Sequence, residues 1–164
     1  MSSEAISAGI MIIGAVIAAT FLVTAILPAI FTAGGTFGTV AHSADNQIRT
    51  DFEIIRAFTP NSGTEPPVDI WIKNTGQIRF TSVEIESMDV FFGNANGITR
   101  LTYVDGKPDV GEFSFVLPSN SIHWNPGDTL HIKTLRKSDQ GPLFYFALGS
   151  PNGIQKTYTF GVGL

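Results

Sequence analysis

Residues 5–32 read AISAGIMIIGAVIAATFLVTAILPAIFT. The chain carries no Lys, Arg, Asp or Glu between Glu4 and Asp45, so this run contains only apolar, small and hydroxyl side chains. A bilayer core is spanned by about 20 predominantly apolar residues in helical form. Because the run exceeds that length, it predicts a long helix that serves as an anchor.

Three explanations compete for this run. A cleaved signal peptide carries a positive leader before an apolar stretch of about 7–15 residues, whereas the first Lys or Arg of this chain is Arg49. A core helix of a soluble protein usually shows a polar stripe, and none is visible here. Burial on all sides, in lipid or among identical helices, is therefore the favoured interpretation.

Small residues give part of the helix a surface suited to close contact with another helix. Gly14 and Ala18 lie four residues apart, which is the spacing of closely packed membrane helices, although lipid-compatible filler explains them equally well. Pro28 predicts a kink or the end of the first helical section. The predicted assembly or membrane face comprises Glu4, Gly9, Ile13, Gly14, Ala18, Phe21 and Pro28.

Charge does not orient the helix in a membrane. The positive-inside rule counts Lys and Arg close to the ends of the span, but Arg49 lies well beyond the apolar run and no Lys or Arg precedes it. A short N-terminus followed by a large domain is consistent with a domain outside the cytoplasm.

Beyond the run, the pattern changes twice. Apolar residues continue at helical spacings of three and four, which extends the helix as an amphipathic segment to about Arg49; they are Phe37, Val40, Ala41, Ala44 and Ile48. From Thr50 the residues alternate, as in a strand, through Phe58. We therefore expect an anchor and assembly helix over 1–49 and a second domain over 50–164.

The second domain has the pattern of an all-β fold. Val68, Ile70 and Ile72 alternate with polar or aromatic residues, and the domain has about seven to nine such segments in all, at spacings near ten residues and separated by Asn-, Gly- and Pro-rich turns. This pattern is typical of a sandwich or barrel. Residues 80–92 are expected to form one or two strands, and residues 98–104 another.

Several kinds of chemistry are not expected. The chain has no cysteine and a net charge of −4 without a basic stripe, which disfavours disulfides, thiolate chemistry and nucleic-acid binding. His123 and His131 lack metal-ligand spacing, and Glu84 and Glu86 are expected to lie on one solvated strand face. Trp71 and Trp124 are assigned to packing. We predict no catalytic residues, no metal, no cofactor and no enzyme activity.

The chain as a whole resembles the FlaG (ArlG) family of archaellum accessory proteins, within the archaellin and type-IV-pilin-like superfamily. The resemblance is carried by the uncharged N-terminal helix and by three segments: Ile48-Arg-Thr-Asp-Phe-Glu-Ile-Ile55, Ile70-Trp-Ile-Lys-Asn-Thr-Gly76 and Trp124-Asn-Pro-Gly-Asp128. It implies a pilin-like helix followed by an immunoglobulin-like β-sandwich. It also implies association with the related FlaF and linkage of the archaellar motor to the surface layer.

Two structural roles remain open, beside a less favoured tethered enzyme or ligand-binding module. One is an accessory or stator component of the archaeal motility apparatus, anchored in the cell envelope with its β-domain outside. The other is an archaellin or pilin-like subunit that self-associates through its helix in an extracellular filament. In such an assembly Glu4 would neutralise the terminal amine of a neighbouring subunit; alternatively it is a favourable charge at a helix N-terminus.

Overall fold

The computed structural model describes residues 2–61, 63–118, 121–137 and 141–163. The chain forms two compact units, Met1–Ala44 and Asp45–Leu164. The first is helical, and the second is built mainly from strands.

A single helix, α1, spans Ser2–Arg49 and contains Pro28 within it. The helix does not end at Pro28, so that part of the prediction is wrong. A proline in a helix interior removes one hydrogen bond, but the backbone on both sides continues. After Arg49 the helix is closed by Thr50, whose amide and hydroxyl both bond to the carbonyl oxygen of Asn46, at 3.1 and 2.7 Å.

The strands of the second unit form two larger sheets and one small one. In chain order they are β1 Phe52–Phe58, β2 Pro67–Asn74, β3 Phe80–Thr81, β4 Asp89–Asn94, β5 Gly97–Arg100, β6 Thr102–Tyr103, β7 Glu112–Val116, β8 His123–Trp124, β9 Thr129–Leu135, β10 Leu143–Gly149 and β11 Gln155–Gly161. The five-stranded sheet has the order β1-β2-β9-β7-β6, the four-stranded sheet β11-β10-β4-β5, and β3 pairs with β8. All pairs are antiparallel except β6–β7.

One hydrophobic core joins the sheets. Alternate residues of β2 and β9 from one sheet, and of β4 and β10 from the other, are buried in a single cluster. Trp124 is fully buried, its ring lies 6.1 Å from Phe52 and 5.6 Å from Phe80, and its indole N–H donates to the Asp128 carbonyl at 2.9 Å. The predicted fold class, a long N-terminal helix followed by a β-sandwich, is confirmed.

The expectation of strands throughout residues 80–92 is wrong. A short helix, α2, spans Ser82–Glu86 between β3 and β4. The hydroxyl of Thr81 accepts from the Glu84 amide, and the Glu84 carboxylate accepts from the Thr81 amide at 2.7 Å. This reciprocal pair of hydrogen bonds is a capping box. It stabilises a helical turn here despite the alternation of apolar and polar residues in the sequence. Glu84 and Glu86 therefore do not share a strand face.

The expected strand over residues 98–104 is also divided. β5 ends at Arg100 and belongs to the four-stranded sheet, whereas β6 begins at Thr102 and belongs to the five-stranded sheet. Leu101, between them, is buried and donates its amide to the Val90 carbonyl at 2.7 Å. The chain thus crosses from one sheet to the other at a single apolar residue.

Residues just after α1 are held by the turn that follows β2. The Asp51 carbonyl accepts from the amides of Thr75 and Gly76 at 3.1 and 2.8 Å, and the Arg49 carbonyl accepts from Gln77 at 2.8 Å. A Cβ on Gly76 would lie 2.5 Å from the Asp51 nitrogen and 2.7 Å from the Arg49 oxygen. Only a residue without a side chain fits at this close backbone approach.

Substituting Gly76 by alanine is expected to lower the free energy of unfolding by about 1–3 kcal/mol, because backbone atoms must move to admit the methyl group. Urea unfolding of the purified chain, followed by pulse proteolysis, measures the loss. Gly97→Ala is the matched control, since a Cβ there meets nothing within 4 Å. Equal stability of the two variants would show that the turn after β2 is not tightly held.

Candidate functional site: the surface of the apolar helix

The side chains of α1 are exposed on every side of the helix in the first unit. Ile13 is 61% exposed and Phe21 73%, and the other large apolar side chains of the run are exposed to a similar degree. By length and composition the helix is able to cross a membrane. The run of residues 5–32 is about 42 Å long, against a hydrocarbon core of about 30 Å.

The threonine hydroxyl groups of this helix are satisfied by its own backbone. Thr20, Thr24 and Thr32 each donate to the carbonyl oxygen four residues earlier, at 2.8 Å. Thr36 does the same at 2.9 Å. An unsatisfied polar group in hydrocarbon costs several kcal/mol, so this local bonding makes the threonines compatible with lipid or with a dry helix bundle.

The structure brings together only part of the predicted face. At about 100° per residue, Gly14, Ala18, Phe21 and Pro28 fall within about 80° of one another. Glu4 lies in the first turn. Gly9 and Ile13 point about 100–180° away from the Gly14–Ala18 pair, so they do not belong to the same contact surface. The assignment of these residues to an assembly face stays a prediction.

The same side of the helix continues beyond the residues that the sequence singled out. A shallow groove there is lined by Ala25, Pro28, Ala29, Thr32, Ala33, Thr36 and Phe37. Gly14, Ala18, Ala25, Ala29, Thr32 and Thr36 form one small-residue row at helical spacing. Small residues recur at this spacing in the sequence beyond Ala18. That pattern would have extended the predicted face to Thr36.

Past the apolar run, the amphipathic segment presents unpaired apolar side chains. Phe37 is 75% exposed, Val40 59% and Ile48 83%. Arg49 Nη1 lies 3.6 Å from Asp45 Oδ2, and this ion pair is on the polar side of the segment. A stripe of this kind beside charged residues is typical of a helix that packs against protein in an aqueous or interfacial environment.

The histidines and tryptophans of the β-domain have structural surroundings. His131 Nε2 lies 2.7 Å from Asp69 Oδ1, and its ring stacks on Trp71 with a centroid distance of 4.7 Å. His123 lies on β8, in a different sheet. Trp124 fills the core, whereas Trp71 lies on the outer face of the five-stranded sheet beside Arg56.

One polar cleft lies between β1 and β11, and an ion pair forms part of its lining. Lys156 Nζ lies 2.9 Å from Asp51 Oδ1. The hydrogen bond and charge of Lys156 lower the pKa of the Asp51 carboxyl below its ordinary value of 3.8. Glu53, Thr75 and Thr157 complete the polar lining. Within the described residues, no group of three or more His, Cys, Asp or Glu side chains is placed to hold a metal ion.

Buried Arg136 fastens the other end of β1. Its guanidinium donates to the Thr59 hydroxyl at 2.9 Å and to the Pro60 carbonyl at 2.8 Å, and it lies 5.1 Å over the Phe144 ring. Burial lowers the pKa of this group. These contacts hold a loop to the sandwich and do not form an open site.

Comparison with known proteins decides the family. The model of the archaeal-type flagellin family matches residues 2–160, which is nearly the whole chain. The chain belongs to the archaeal-type flagellin family. Membership makes it a structural component of the archaeal flagellum, the archaellum, and the resemblance seen in the sequence agrees with this assignment.

One sequence relative and two solved structures are similar to this chain at low sequence identity. An uncharacterised protein of Archaeoglobus fulgidus is 28% identical over 132 residues, which cover 80% of each chain. The archaellum periplasmic stator protein FlaG from Sulfolobus acidocaldarius superposes with a TM-score of 0.51 at 20% identity, over 68% of this chain and 99% of that one. A FlaF–FlaG stator complex from the same organism gives a TM-score of 0.49 at 19% identity, over 66% of this chain and 87% of that one. The first of the two structures shows the sandwich fold.

Proposed function

We propose that this archaellum component is an accessory, stator-type protein rather than a subunit of the filament. In this proposal residues 1–49 are the anchor and residues 50–164 form the domain outside the cytoplasm. The observation that carries the anchoring part of the proposal is α1, an exposed apolar helix long enough to span a bilayer, whose threonine hydroxyls are satisfied internally. Such a surface is suited to lipid along its whole circumference.

The similar fold supports the stator role over the filament role. The neighbour with a TM-score above 0.5 carries the description of a periplasmic stator protein, and 99% of it is covered. By the resemblance of the sequence, partners would be the related FlaF and the surface layer. The proposed work of the protein is mechanical: it holds position in the envelope and offers its β-domain as a contact surface, without enzyme activity, cofactor or nucleic acid.

The second candidate is the filament subunit, and the small-residue row of α1 favours it. A Cβ added at Gly14 would meet nothing within 4 Å, so a second helix has room to approach the Gly14–Ala18 pair closely. In that case α1 would lie in a core of identical helices, and Glu4 would be placed to meet a neighbouring terminal amine.

Mild shear of the producing cells separates the two roles. Shear releases archaellar filaments and leaves the envelope behind, so the stator role predicts recovery of this chain with the membrane fraction and its absence from purified filaments. The major filament protein of the same cells serves as the control for release. Abundant recovery of this chain in long helical filaments would overturn the stator proposal and establish the alternative.

A further inference from the structure

The glycine segment of α1, residues 33–39, has a sequence that disfavours helix. It reads Ala-Gly-Gly-Thr-Phe-Gly-Thr, so three of its seven residues are glycine and two are threonine. Glycine loses the most backbone freedom when it enters a helix, and each glycine weakens a helix about fourfold to fivefold relative to alanine. α1 nevertheless continues as a helix through this segment.

Nothing in the described part of the chain requires glycine at these positions. Gly34, Gly35 and Gly38 do not have a positive φ, and a Cβ added at any of them would meet nothing within 4 Å. Neither a turn nor a close contact therefore accounts for them. No packing within the described residues offsets the weakness that they give to the helix.

The threonines of the segment add to this weakness. The Thr36 hydroxyl donates to the Thr32 carbonyl at 2.9 Å, and the Thr39 hydroxyl donates to the Thr36 carbonyl at 2.9 Å. A hydroxyl that bonds back to a helix carbonyl competes with the backbone amide for that oxygen, and such bonds often bend helices. Bending is thus favoured at the same place where helix propensity is lowest.

The surroundings of the segment favour opening as well, and this step rests on the proposed function. If residues 5–32 span the bilayer, the glycine segment lies just outside it. A broken backbone hydrogen bond is expensive in hydrocarbon, so the helix around Pro28 is held closed by lipid. Beyond the bilayer the freed amide and carbonyl groups bond to water, and local opening costs far less.

The boundary between α1 and β1 is, by contrast, fastened by strands of both large sheets. The carbonyl oxygens of Arg49 and Asp51 accept three amides from the turn after β2, at 2.8–3.1 Å. From the hairpin of β10 and β11, Asn152 Nδ2 donates to Thr50 Oγ1 at 2.9 Å, and Lys156 Nζ lies 2.9 Å from Asp51 Oδ1. Thr50 itself is buried. All these residues belong to the second unit.

We infer that the joint of this chain lies inside α1, at the glycine segment, and that the boundary between α1 and β1 is rigid. Bending at the joint lets the chain beyond it change direction while residues 5–32 keep their place in lipid. The rigid boundary passes any load on the last turn of α1 directly into both sheets. For a stator-type component, these two properties separate compliance from load bearing.

Hydrogen exchange with mass spectrometry tests the inference on the full chain in liposomes. Exchange rates are compared after correction for the intrinsic rate of each amide. We expect the amides of residues 34–41 to exchange at least tenfold faster than those of residues 46–50, because local opening exposes them. Equal protection of the two stretches, or faster exchange at residues 46–50, would overturn the inference.

Replacing the three glycines together by alanine, Gly34→Ala with Gly35→Ala and Gly38→Ala, is expected to slow exchange at residues 34–41 on the order of 100-fold. The matched control is Gly9→Ala with Gly14→Ala on the same helix, where an added Cβ also meets nothing within 4 Å. It should leave that exchange unchanged. Slow exchange in the native chain that the triple variant makes faster would show that the glycines serve close contact with another helix, and the joint would be wrong.

A second variant tests the rigid boundary. Asn152→Ala removes the hydrogen bond to the Thr50 hydroxyl and should speed exchange at residues 46–50 about threefold to tenfold, without an effect at residues 34–41. Asn96→Ala, in the exposed turn between β4 and β5, is the control and should change neither stretch. Unchanged exchange at residues 46–50 in Asn152→Ala would show that the four-stranded sheet does not hold the boundary.

Failure of this inference is distinguishable from failure of the proposed function. Flotation of the liposomes reports whether the chain is anchored, and hydrogen exchange reports where it opens. A chain that floats but shows equal protection at residues 34–41 and 46–50 keeps the anchor role and loses the joint. A chain that does not float loses the anchor role, and the same exchange comparison in detergent then decides the joint separately.

Discussion

Replacing Ile13 and Ile17 by arginine is expected to abolish stable membrane anchoring. Both residues lie in the apolar run, where they are 61% and 50% exposed and make no protein contact that would shelter a charge. An arginine near the middle of a membrane helix costs about 2.5–3.5 kcal/mol on insertion scales. Two of them cost about 5–7 kcal/mol, a change of roughly four to five orders of magnitude in partitioning.

The measurement is the distribution of the full chain between membrane and soluble fractions after carbonate extraction. The matched control places the same two arginines at Val40 and Ile48, which are 59% and 83% exposed but lie beyond residues 5–32. The control protein should remain in the membrane fraction. If the Ile13 and Ile17 variant also remains there, α1 is held by protein contacts and not by lipid, and the filament alternative gains support.

Replacing Trp124 by alanine is expected to destabilise the β-domain by about 3–5 kcal/mol. Trp124 is fully buried between Phe52 and Phe80, and its indole N–H has a carbonyl partner in the turn that precedes β9. Removing the ring leaves a large cavity and removes one of the two hydrogen bonds to the Asp128 carbonyl, which keeps its bond from the Asn74 amide at 2.9 Å. A loss of this size is a large part of the 5–15 kcal/mol by which a domain is normally stable.

Trp71→Ala is the control for loss of a large aromatic side chain. Trp71 packs on the outside of the sheet against His131, so its removal should cost about 1 kcal/mol. Urea unfolding with pulse proteolysis gives both values without depending on tryptophan fluorescence. Comparable losses for the two variants would mean that the core does not centre on Trp124.

The helix and the general architecture of the sandwich could be predicted because their signals are local. An uncharged run from Ala5 to Thr32 is helical wherever it is buried, and alternation such as that of Val68, Ile70 and Ile72 is the mark of a strand in any sheet. The end of α1 at Arg49 agrees with the end of its apolar periodicity. The roles assigned to Gly14 and Ala18 remain predictions, because helix contacts depend on a second chain.

Of the two strand predictions that failed, the first missed a local helix cap and the second depended on distant parts of the chain. Residues 80–92 alternate well enough for a strand, but the bond between Thr81 and Glu84 closes a turn of helix instead. Residues 98–104 form one period-two segment in sequence, yet Leu101 is where the chain changes sheets. No property of these short segments shows which sheet will accept each part.

The composition of residues 5–32 by itself determined that this protein has a long apolar helix, because transfer of apolar side chains out of water is additive and independent of fold. The sequence also determined the β character of the second domain and its family. Only the tertiary structure decided which uncharged residues share a face. Thr159, Tyr145 and Ile98 are far apart in the chain, and strand pairing places them in one row. Register is a long-range property, set by packing of the whole core.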